Sequence, residues 1–276
     1  MEDTHISNLN LDRSTALFGV FDGHGGREVA VFASRHLATE LVMNAAFQAG
    51  RVERGLAETF IRIDELLRTV EGIKEVYKIF KNLPDSTNID FNQAKAEGPA
   101  SGCTAVVAVV QGSRLYVANA GDSRCVLARN GAAVAMSIDH KPEMADELAR
   151  IQAAGGFVSE GRVNGNLNLS RCLGDLEFKS NPALAPEQQI LTAAPEIKSL
   201  SLSPADDFMV LCCDGIWDIL SSQQCVDFVY QRIATEPLPR IAEALCDRCL
   251  APDVASGEGR GCDNMTALIV AFKHPL

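Results

Sequence analysis

Apolar segments that follow one another in the middle of the chain restrict the fold most. Together with three further apolar runs they are dense in Val, Ile, Leu and Cys, which is typical of buried β-strands. The predicted strands are 16–22, 102–111, 114–120, 124–128, 132–137, 207–214 and 264–272. Such continuous runs indicate sheets that are covered on both faces. Asn130-Gly131 is the dipeptide that a tight type I′ hairpin prefers, so the pairing at this turn is predicted to be antiparallel.

Helical periodicity of the apolar residues is clearest early in the chain. One stripe consists of Leu56, Phe60, Ile63, Leu67 and Val70, and another of Ala30, Ala33, Leu37, Leu41 and Ala45. Later helices are expected after Ser221 and at Pro239, where start signals precede apolar residues. Because helices cluster early and late while strands run consecutively between them, the pattern favours an α+β sandwich over an alternating parallel sheet.

Nothing in the 276 residues separates independent domains, since no repeat, low-complexity tract or long linker is present. We therefore expect one domain over residues 1–276. Residues 141–195 combine one predicted helix, at 142–154, with Gly- and Asn-rich sequence. This stretch is predicted to form an irregular flap, and a flap of that length is usually functional.

Charge and composition exclude several classes of partner. The chain has 25 basic and 36 acidic residues and a net charge of −11, which argues against nucleic-acid binding and favours a cationic partner. Its longest apolar runs are too short to cross a membrane, and no export signal is visible. Several of its nine cysteines lie inside strand-like runs. Reduced thiols and a cytoplasmic or nuclear location are therefore expected, and we expect a monomer.

Four acidic motifs stand at or beside the ends of apolar runs. They are Asp-Gly-His-Gly-Gly at 22–26, Gly-Asp-Ser-Arg at 121–124, Asp-Gly-Ile-Trp-Asp at 214–218 and Gly-Cys-Asp-Asn at 261–264. Any single Asp-Gly after a strand is most often only a turn. A set spread over the whole chain instead indicates a site where paired cations activate a water. Oxygen ligands without a His or Cys cluster favour Mg²⁺ or Mn²⁺ over zinc.

Other phosphoryl-transfer and hydrolytic chemistries lack their motifs. No Cys is followed six positions later by Arg, so the loop of cysteine-nucleophile phosphatases is missing. Neither a nucleotide-binding P-loop nor a His-Glu-x-x-His zinc motif is present. Metal-activated water is the nucleophile that remains.

These motifs together make the sequence similar to a known family, the metal-dependent serine/threonine phosphatases of the protein phosphatase 2C (PPM) type. The resemblance covers nearly the full chain, with the motifs in family order. The matching stretches are Met-Glu-Asp at 1–3, Phe-Gly-Val-Phe-Asp-Gly-His-Gly-Gly at 18–26, Ser-Gly-Cys-Thr-Ala at 101–105, Ala-Asn-Ala-Gly-Asp-Ser-Arg at 118–124, Asp-His-Lys-Pro at 139–142, Leu-Ser-Arg-Cys-Leu-Gly-Asp at 169–175, Cys-Asp-Gly-Ile-Trp-Asp at 213–218 and Asp-Asn-Met-Thr at 263–266.

The resemblance implies a fold and a set of residue roles. The fold would be two stacked antiparallel β-sheets flanked by helix pairs, a four-layer αββα sandwich with the metal ions at one end. Two or three Mg²⁺ or Mn²⁺ ions would bind, and in the family a water between two of them attacks phosphorus in line. The implied ligands of the two main ions are Asp22 as the bridging and catalytic carboxylate, the Gly23 carbonyl, Asp214 and Asp263, with Glu2 and Asp3 acting largely through metal-bound waters. Asp122 and Asp218, with Asp214, would form a weaker third site. His24 would be the general acid, a task that an imidazole suits near neutral pH.

The resemblance departs from the family at the start of the chain. The family normally carries an Arg three residues before its Met-Glu-Asp, and this sequence begins at that Met. Arg27 and Arg171 are the candidate replacements for binding the substrate phosphate, although each could equally form a structural ion pair. We also expect that the first edge of one sheet is missing and that Glu2 and Asp3 are mobile.

The resemblance implies hydrolysis of phosphoserine and phosphothreonine in proteins. The alternative is a catalytically impaired phosphatase-like domain that binds or regulates a partner, which the absent Arg favours. A hydrolase of a small phosphorylated metabolite is a third possibility, which the long flap disfavours. His140 and His5 are expected to be structural histidines, and Cys246 and Cys249 are expected to have no metal or redox role.

Overall fold

Two main antiparallel sheets, of five and four strands, form the centre of the fold, and helices lie outside both of them. A three-stranded and a two-stranded sheet are smaller. The computed structural model describes residues 1–12, 14–253 and 260–272. In chain order its strands are β1 (Thr4–Asn8), β2 (Thr15–Phe21), β3 (Gly23–His24), β4 (Gly102–Cys103), β5 (Ala105–Gln111), β6 (Arg114–Ala120), β7 (Arg124–Arg129), β8 (Ala132–Ala135), β9 (Val158–Ser159), β10 (Arg162–Val163), β11 (Leu173–Gly174), β12 (Glu196–Ser201), β13 (Asp206–Cys212) and β14 (Ala267–Ala271).

The helices group into an early, a middle and a late set. They are α1 (Glu28–Met43), α2 (Ala45–Gln48), α3 (Val52–Leu67), α4 (Val70–Lys81), α5 (Phe91–Glu97), α6 (Ala145–Ala153), α7 (Asp214–Trp217), α8 (Ser222–Tyr230) and α9 (Leu238–Cys249), with 3-10 turns at Leu176–Lys179 and Pro186–Gln188. None of these helices is long and apolar enough to cross a bilayer.

The strand order shows how the sandwich is built. The first sheet runs β1-β2-β5-β6-β12 and the second runs β14-β13-β7-β8, with every pair antiparallel. Asn130 and Gly131 have φ angles of 49° and 78° at the β7-β8 turn. Both positive φ values are those of the predicted type I′ hairpin.

Alternating side chains of the sheets build the layers. Along β2, Phe18 and Val20 point to the interior between the two sheets, where they join Met209 of β13 in one apolar cluster. Leu17 and Phe21 point to the opposite face and pack with α1 and α3. The outer face of the second sheet packs against α8 and α9 in the same way. The α+β fold with four layers, predicted from the resemblance, is therefore confirmed.

Four predicted strands are shorter than expected. Segment 132–137 pairs only from Ala132 to Ala135, and the other three lose the residues that lie beside the acidic motifs. Segment 102–111 is broken at Thr104, whose backbone N–H donates to the carbonyl of Asp22. Segment 207–214 stops at Cys212, and Asp214 begins α7 instead. Segment 264–272 pairs only from Ala267 to Ala271.

Both predicted helical stripes run past the end of one helix into the next. Ala45 follows the end of α1 and begins α2. Val70 does not belong to the helix of Leu56 and Phe60, which ends at Leu67. The side chain of Thr69 accepts a hydrogen bond from the N–H of Gly72 and so caps a new helix, α4. Val70 is 43% exposed in its first turn. The apolar spacing continues to Val70 in the sequence because α4 has an apolar face of its own.

The sequence patterns did not predict several elements, and they placed the start of one helix too early. The elements that the patterns did not predict are β1, β12, α4 and α5, together with the short elements β3, β9, β10, β11, α2 and α7. The predicted helix at 142–154 begins only at Ala145. The helix expected after Ser221 is present, and Ser221 and Gln224 cap each other's backbone N–H groups. β1 forms an edge of the first sheet by pairing with β2.

The stretch predicted as an irregular flap, residues 141–195, contains short helices and strands and a small apolar cluster of its own. It contains α6, the β9-β10 pair and both 3-10 turns. Ile151 of α6 packs with Val163, Cys172 and Leu191 in a separate apolar cluster. This cluster lies apart from the clusters of the main sandwich, so the stretch has its own small core.

Candidate active site

The predicted metal-binding aspartates come together at one end of the sandwich. Asp22 follows β2, Asp122 follows β6, Asp214 follows β13 and Asp263 precedes β14. All of these strands are central or paired, so the sheet fixes the backbone from which each carboxylate projects. Asp3, Asp122, Asp214 and Asp263 lie close enough to Asp22 to raise its pKa. The sequence-distant motifs therefore form one acidic centre.

Thr104 joins three of the motifs. Its backbone N–H donates to the Asp22 carbonyl over 2.9 Å, and the N–H of Asp22 donates to its hydroxyl over 3.4 Å. The Thr104 and Ser123 hydroxyls are hydrogen-bonded at 2.7 Å. A Cβ on Gly121 would lie 2.6 Å from the Thr104 Cβ, so this approach requires glycine.

Glu2 and Asp3 are held in place, contrary to the expectation that they are mobile. The backbone N–H of Glu2 donates to the Asn264 side chain over 2.5 Å. Thr266 donates its hydroxyl proton to Asp3 Oδ2 over 2.7 Å. A Cβ on Gly23 would lie 2.5 Å from the Glu2 carbonyl oxygen. The segment before β1 thus packs against the motifs at 22–26 and 263–266.

Burial and the crowding of carboxylates strongly raise the pKa values of two of them. Burial, and then repulsion from Asp3 and Asp214, raises the pKa of Asp22 to about 10. Burial, and then repulsion from Asp122 and Asp218, raises the pKa of Asp214 to about 7, although Lys141 opposes the shift. Without a bound metal ion, Asp22 and Asp214 therefore tend to hold protons, and a bound cation would displace them.

The donor set fits hard divalent cations. The side-chain ligands are all carboxylate oxygens, which is the chemistry that Mg²⁺ and Mn²⁺ prefer. Asp3 Oδ1 is buried without a hydrogen-bond partner among the residues described. A buried carboxylate oxygen without a donor is costly, and an ion would satisfy it. Asp218, directly after α7, is exposed and lies at the rim.

Lys141 lies against this centre. Its Nζ atom is 2.5 Å from Asp122 Oδ2, and the Asp122 side chain is buried while that of Lys141 is 43% exposed. The contact is set by the backbone, since the N–H of His140 donates to the Gly121 carbonyl over 2.9 Å. One lysine ammonium thus neutralises part of the acidic charge.

His24 is paired with Asp175. Its Nε2 atom lies 2.6 Å from Asp175 Oδ2, and the Cys172 thiol donates to the same oxygen over 3.1 Å. Burial tends to raise the pKa of Asp175, but the hydrogen bonds from His24 and Cys172 outweigh it and hold that pKa below its ordinary value. Asp175 is therefore a carboxylate that orients the imidazole.

The two candidate phosphate-binding arginines lie in other contacts. Arg27, before α1, is exposed and donates to the side chain of Asn82. Arg171 donates through Nε and Nη2 to Glu147 Oε1, at 2.9 and 2.5 Å, and through Nη1 to the Ala194 carbonyl. Arg171 therefore forms a structural ion pair, which was the alternative to binding the substrate phosphate. Phosphate binding by either residue stays a prediction.

His140 is a buried histidine, with 2% of its surface exposed. Its Nδ1 atom accepts a hydrogen bond from the N–H of Gly121 at 3.3 Å. Burial, and then Arg171, lowers the pKa of His140 to about 4. His140 is therefore neutral near pH 7 and lies between the acidic centre and the Glu147 ion pairs.

Sequence reasoning gave no role to three residues that complete the centre: Lys141, Asp175 and Thr104. All three stand inside motifs that carried the resemblance, so the signal was available. Their partners, however, are distant in sequence. Asp175, for example, meets a histidine 151 positions earlier.

Comparison with known proteins agrees with this geometry. The family model described as protein phosphatase 2C matches residues 1–256. A rice protein named probable protein phosphatase 2C 58 is 46% identical over all of this chain and 81% of its own length. Probable protein phosphatase 2C 6 of Paramecium tetraurelia is 47% identical over 99% of this chain and 88% of its own length.

A solved structure agrees at the level of the fold. The crystal structure of a serine-threonine phosphatase 2C from Toxoplasma gondii superposes with a TM-score of 0.73 over 98% of this chain and 94% of that one, at 19% identity. Together with the family model and the close relatives, these findings show that the chain belongs to the protein phosphatase 2C family of metal-dependent serine/threonine protein phosphatases.

Proposed function

We propose that this chain removes phosphate from phosphoserine and phosphothreonine in proteins, with two or three Mg²⁺ or Mn²⁺ ions as cofactors. The observation that carries the proposal is the convergence of carboxylates around Asp22. Burial, and then repulsion from the neighbouring carboxylates, raises the pKa of Asp22 to about 10, and bound cations would relieve that repulsion. Buried carboxylates arranged in this way cost stability, so their purpose is to bind cations.

Each residue of the centre has a proposed task. Asp22 would hold two of the ions, and the Gly23 carbonyl, Asp214 and Asp263 would be further ligands. Asp3 and Glu2 would act through waters, and Asp122 and Asp218, with Asp214, would hold a third ion. When bound, the ions supply an activated water and stabilise the charge of the phosphoryl oxygens.

His24 is the proposed general acid for the leaving serine or threonine oxygen. A serine alkoxide is a poor leaving group and needs a proton as the ester bond breaks. Asp175, whose Oδ2 atom lies 2.6 Å from Nε2, fixes the orientation of the ring. The His24 side chain is 25% exposed, so a substrate can reach it.

Hydrolysis of a phosphothreonine peptide tests the proposal. Turnover should require Mn²⁺ or Mg²⁺, stop with EDTA, and be lost in Asp214→Asn. Asp85→Asn is the matched control, because its side chain is 86% exposed and lies outside the acidic centre. Metal-independent turnover, or full activity of Asp214→Asn, would contradict the proposal. Cation binding without turnover would indicate the impaired, regulatory alternative.

We further propose a cytoplasmic or nuclear location and a monomer that binds neither nucleic acid nor membranes. Cysteines buried as free thiols in the packed core support a reducing compartment. The net charge of −11 supports solubility and disfavours binding to polyanions. Cell fractionation and light scattering test location and oligomeric state.

A further inference from the structure

His24, Cys172 and Asp175 bring three different metal-ligand atoms together. Nε2 of His24, Sγ of Cys172 and the carboxylate of Asp175 all lie within 4.8 Å of one another. The closest pairs are 2.6 Å, from Nε2 to Oδ2, and 3.1 Å, from Sγ to Oδ2. A nitrogen, a sulfur and an oxygen ligand within this distance are a donor set of the kind that binds Zn²⁺.

The backbone holds the three side chains in this arrangement. β3, which carries His24, and β11, which lies between Cys172 and Asp175, both pair with β4. On that middle strand, a Cβ on Gly102 would lie 2.1 Å from Asp175 Oδ2 and 2.6 Å from His24 Nε2. The absence of a side chain at Gly102 thus creates the space in which the ligand atoms meet.

A second contact fixes β11 from the helix side. Asp64 of α3 accepts the N–H of Gly174 at 2.8 Å and also holds the Lys179 ammonium at 2.5 Å. Lys179 in turn donates to the Cys172 carbonyl over 2.7 Å. β11 and the Cys172 carbonyl that precedes it are therefore anchored without using the Cys172 thiol or the Asp175 carboxylate.

Charge and burial favour a divalent ion among these atoms. Cys172 and Asp175 are buried, whereas His24 is partly exposed and gives access. A thiolate and a carboxylate carry two negative charges and a neutral imidazole adds none, so one divalent cation would make the buried group neutral. The sulfur and nitrogen ligands also separate this group from the oxygen-only centre around Asp22.

We propose that His24, Cys172 and Asp175 form an inhibitory site for Zn²⁺ or a similarly soft divalent cation. Binding forms bonds from the ion to Nε2, Sγ and a carboxylate oxygen. The thiol proton of Cys172, and any proton on Nε2, pass to solvent. The bound ion takes the lone pair of Nε2 and immobilises the ring, so His24 no longer delivers a proton to the leaving group. Only the inhibition rests on the proposed function; the binding does not.

Cobalt provides a direct test, because thiolate-bound Co²⁺ absorbs in the near ultraviolet while oxygen-bound Co²⁺ does not. The full chain is first saturated with Mg²⁺ to fill the oxygen sites, and Co²⁺ is then added. We expect the thiolate band in the wild type and in Cys103→Ala, which removes a neighbouring buried thiol of β4. We expect no band in Cys172→Ala.

Zinc affinity and inhibition complete the experiment. Competition with a chelating dye should show Zn²⁺ binding weakened roughly tenfold or more in Cys172→Ala, the size of effect typical for lost metal-site groups. In Mg²⁺ buffer, Zn²⁺ should inhibit the wild type at lower concentration than Cys172→Ala, each measured against its own activity. Asp175→Asn is the second binding variant if Cys172→Ala does not fold.

Two results would overturn the inference. One is a thiolate band that persists without Cys172. The other is Zn²⁺ inhibition with no thiolate band, because the ion would then act at the oxygen centre. A chain that shows the band but no phosphatase activity would refute the proposed function and leave this binding site standing.

Discussion

The imidazole of His24 and the carboxylate of Asp175 lie 2.6 Å apart, although 151 residues separate them in sequence. Both β3 and β11 pair with β4, so the sheet geometry itself brings the two side chains together. The carboxylate is 8% exposed. A shielded carboxylate in this position sets the orientation of the ring.

Asp175→Asn should therefore impair proton delivery more than substrate binding. We expect kcat on a phosphothreonine peptide to fall about tenfold or more, since positioned proton transfer contributes roughly 10²–10⁴-fold. The loss on p-nitrophenyl phosphate should be smaller, because nitrophenolate leaves without a proton. Glu177→Gln, two residues further on, is the control. Equal losses on both substrates would indicate only a structural role for Asp175.

Local patterns predicted the elements whose signals are local. The β7-β8 hairpin followed from Asn130-Gly131, and β2 from its apolar run. β1 and β12 were missed because half of their positions or more are partly exposed, which leaves no continuous apolar run. The start of α4 was hidden because Val70 prolongs the spacing of the preceding stripe, and only the Thr69 cap separates the helices.

The sequence predicted which motifs form the site but not the contacts between their side chains. The aspartates of the acidic centre were found because each stands at a strand end in a recognisable motif. The contacts of Lys141 and Asp175 could not be found in this way, since they depend on how strands pair over long sequence separations. The Arg171 contact is similar: Glu147, its partner, is on α6 and carries no motif.

Lys141→Met should tighten the weakest cation site. The Lys141 ammonium lies 2.5 Å from Asp122 Oδ2, so a cation that binds Asp122 must displace or face this charge. Two like charges about 4 Å apart repel by roughly 1 to 4 kcal/mol between bulk water and a protein surface. Because Lys141 is 43% exposed, solvent reduces the effect, and we expect the Kd of the weakest Mn²⁺ to fall by about tenfold.

Electron paramagnetic resonance of free Mn²⁺ measures this affinity without turnover. Lys198→Met is the matched control, because its partner Glu196 lies outside the acidic centre and the same charge is removed. Lys141→Arg should keep the weak binding. An unchanged or higher Kd in Lys141→Met would show that the ammonium does not compete with the ion.

Asp64→Asn should destabilise the chain strongly. Asp64 and Lys179 form a buried ion pair at 2.5 Å, with side chains 11% and 4% exposed. The asparagine can still accept the N–H of Gly174, but the ammonium stays buried without a carboxylate. Breaking such a pair from one side costs roughly 3–5 kcal/mol.

Urea unfolding in EDTA measures the loss. Glu65→Gln, which removes one partner of the exposed Arg62 pair on the same helix, should change the free energy of unfolding by less than about 1 kcal/mol. The double variant Asp64→Leu with Lys179→Met should recover much of the loss, because no lone charge is buried. A small effect of Asp64→Asn would mean that water reaches the ammonium.

His140 should make the folded state less stable as the pH falls from 6.5 towards 4. Burial, and then Arg171, lowers its pKa to about 4, whereas an unfolded histidine takes up a proton near pH 6.5. Between these values the unfolded chain binds more protons, so the stabilisation is complete above pH 6.5 and is lost on acidification. The difference of 2.5 pKa units corresponds to about 3 kcal/mol.

His140→Asn isolates this contribution. The amide oxygen can replace Nδ1 as the acceptor for the Gly121 N–H, while the titrating ring is gone. The variant loses packing at every pH, but its free energy of unfolding should depend less on pH between 6.5 and 4 than that of the wild type. Both chains are unfolded by urea in EDTA, so the metal-free carboxylates titrate alike in each and cancel in the comparison. Parallel pH profiles would mean that His140 takes up its proton in the folded chain as readily as in the unfolded one.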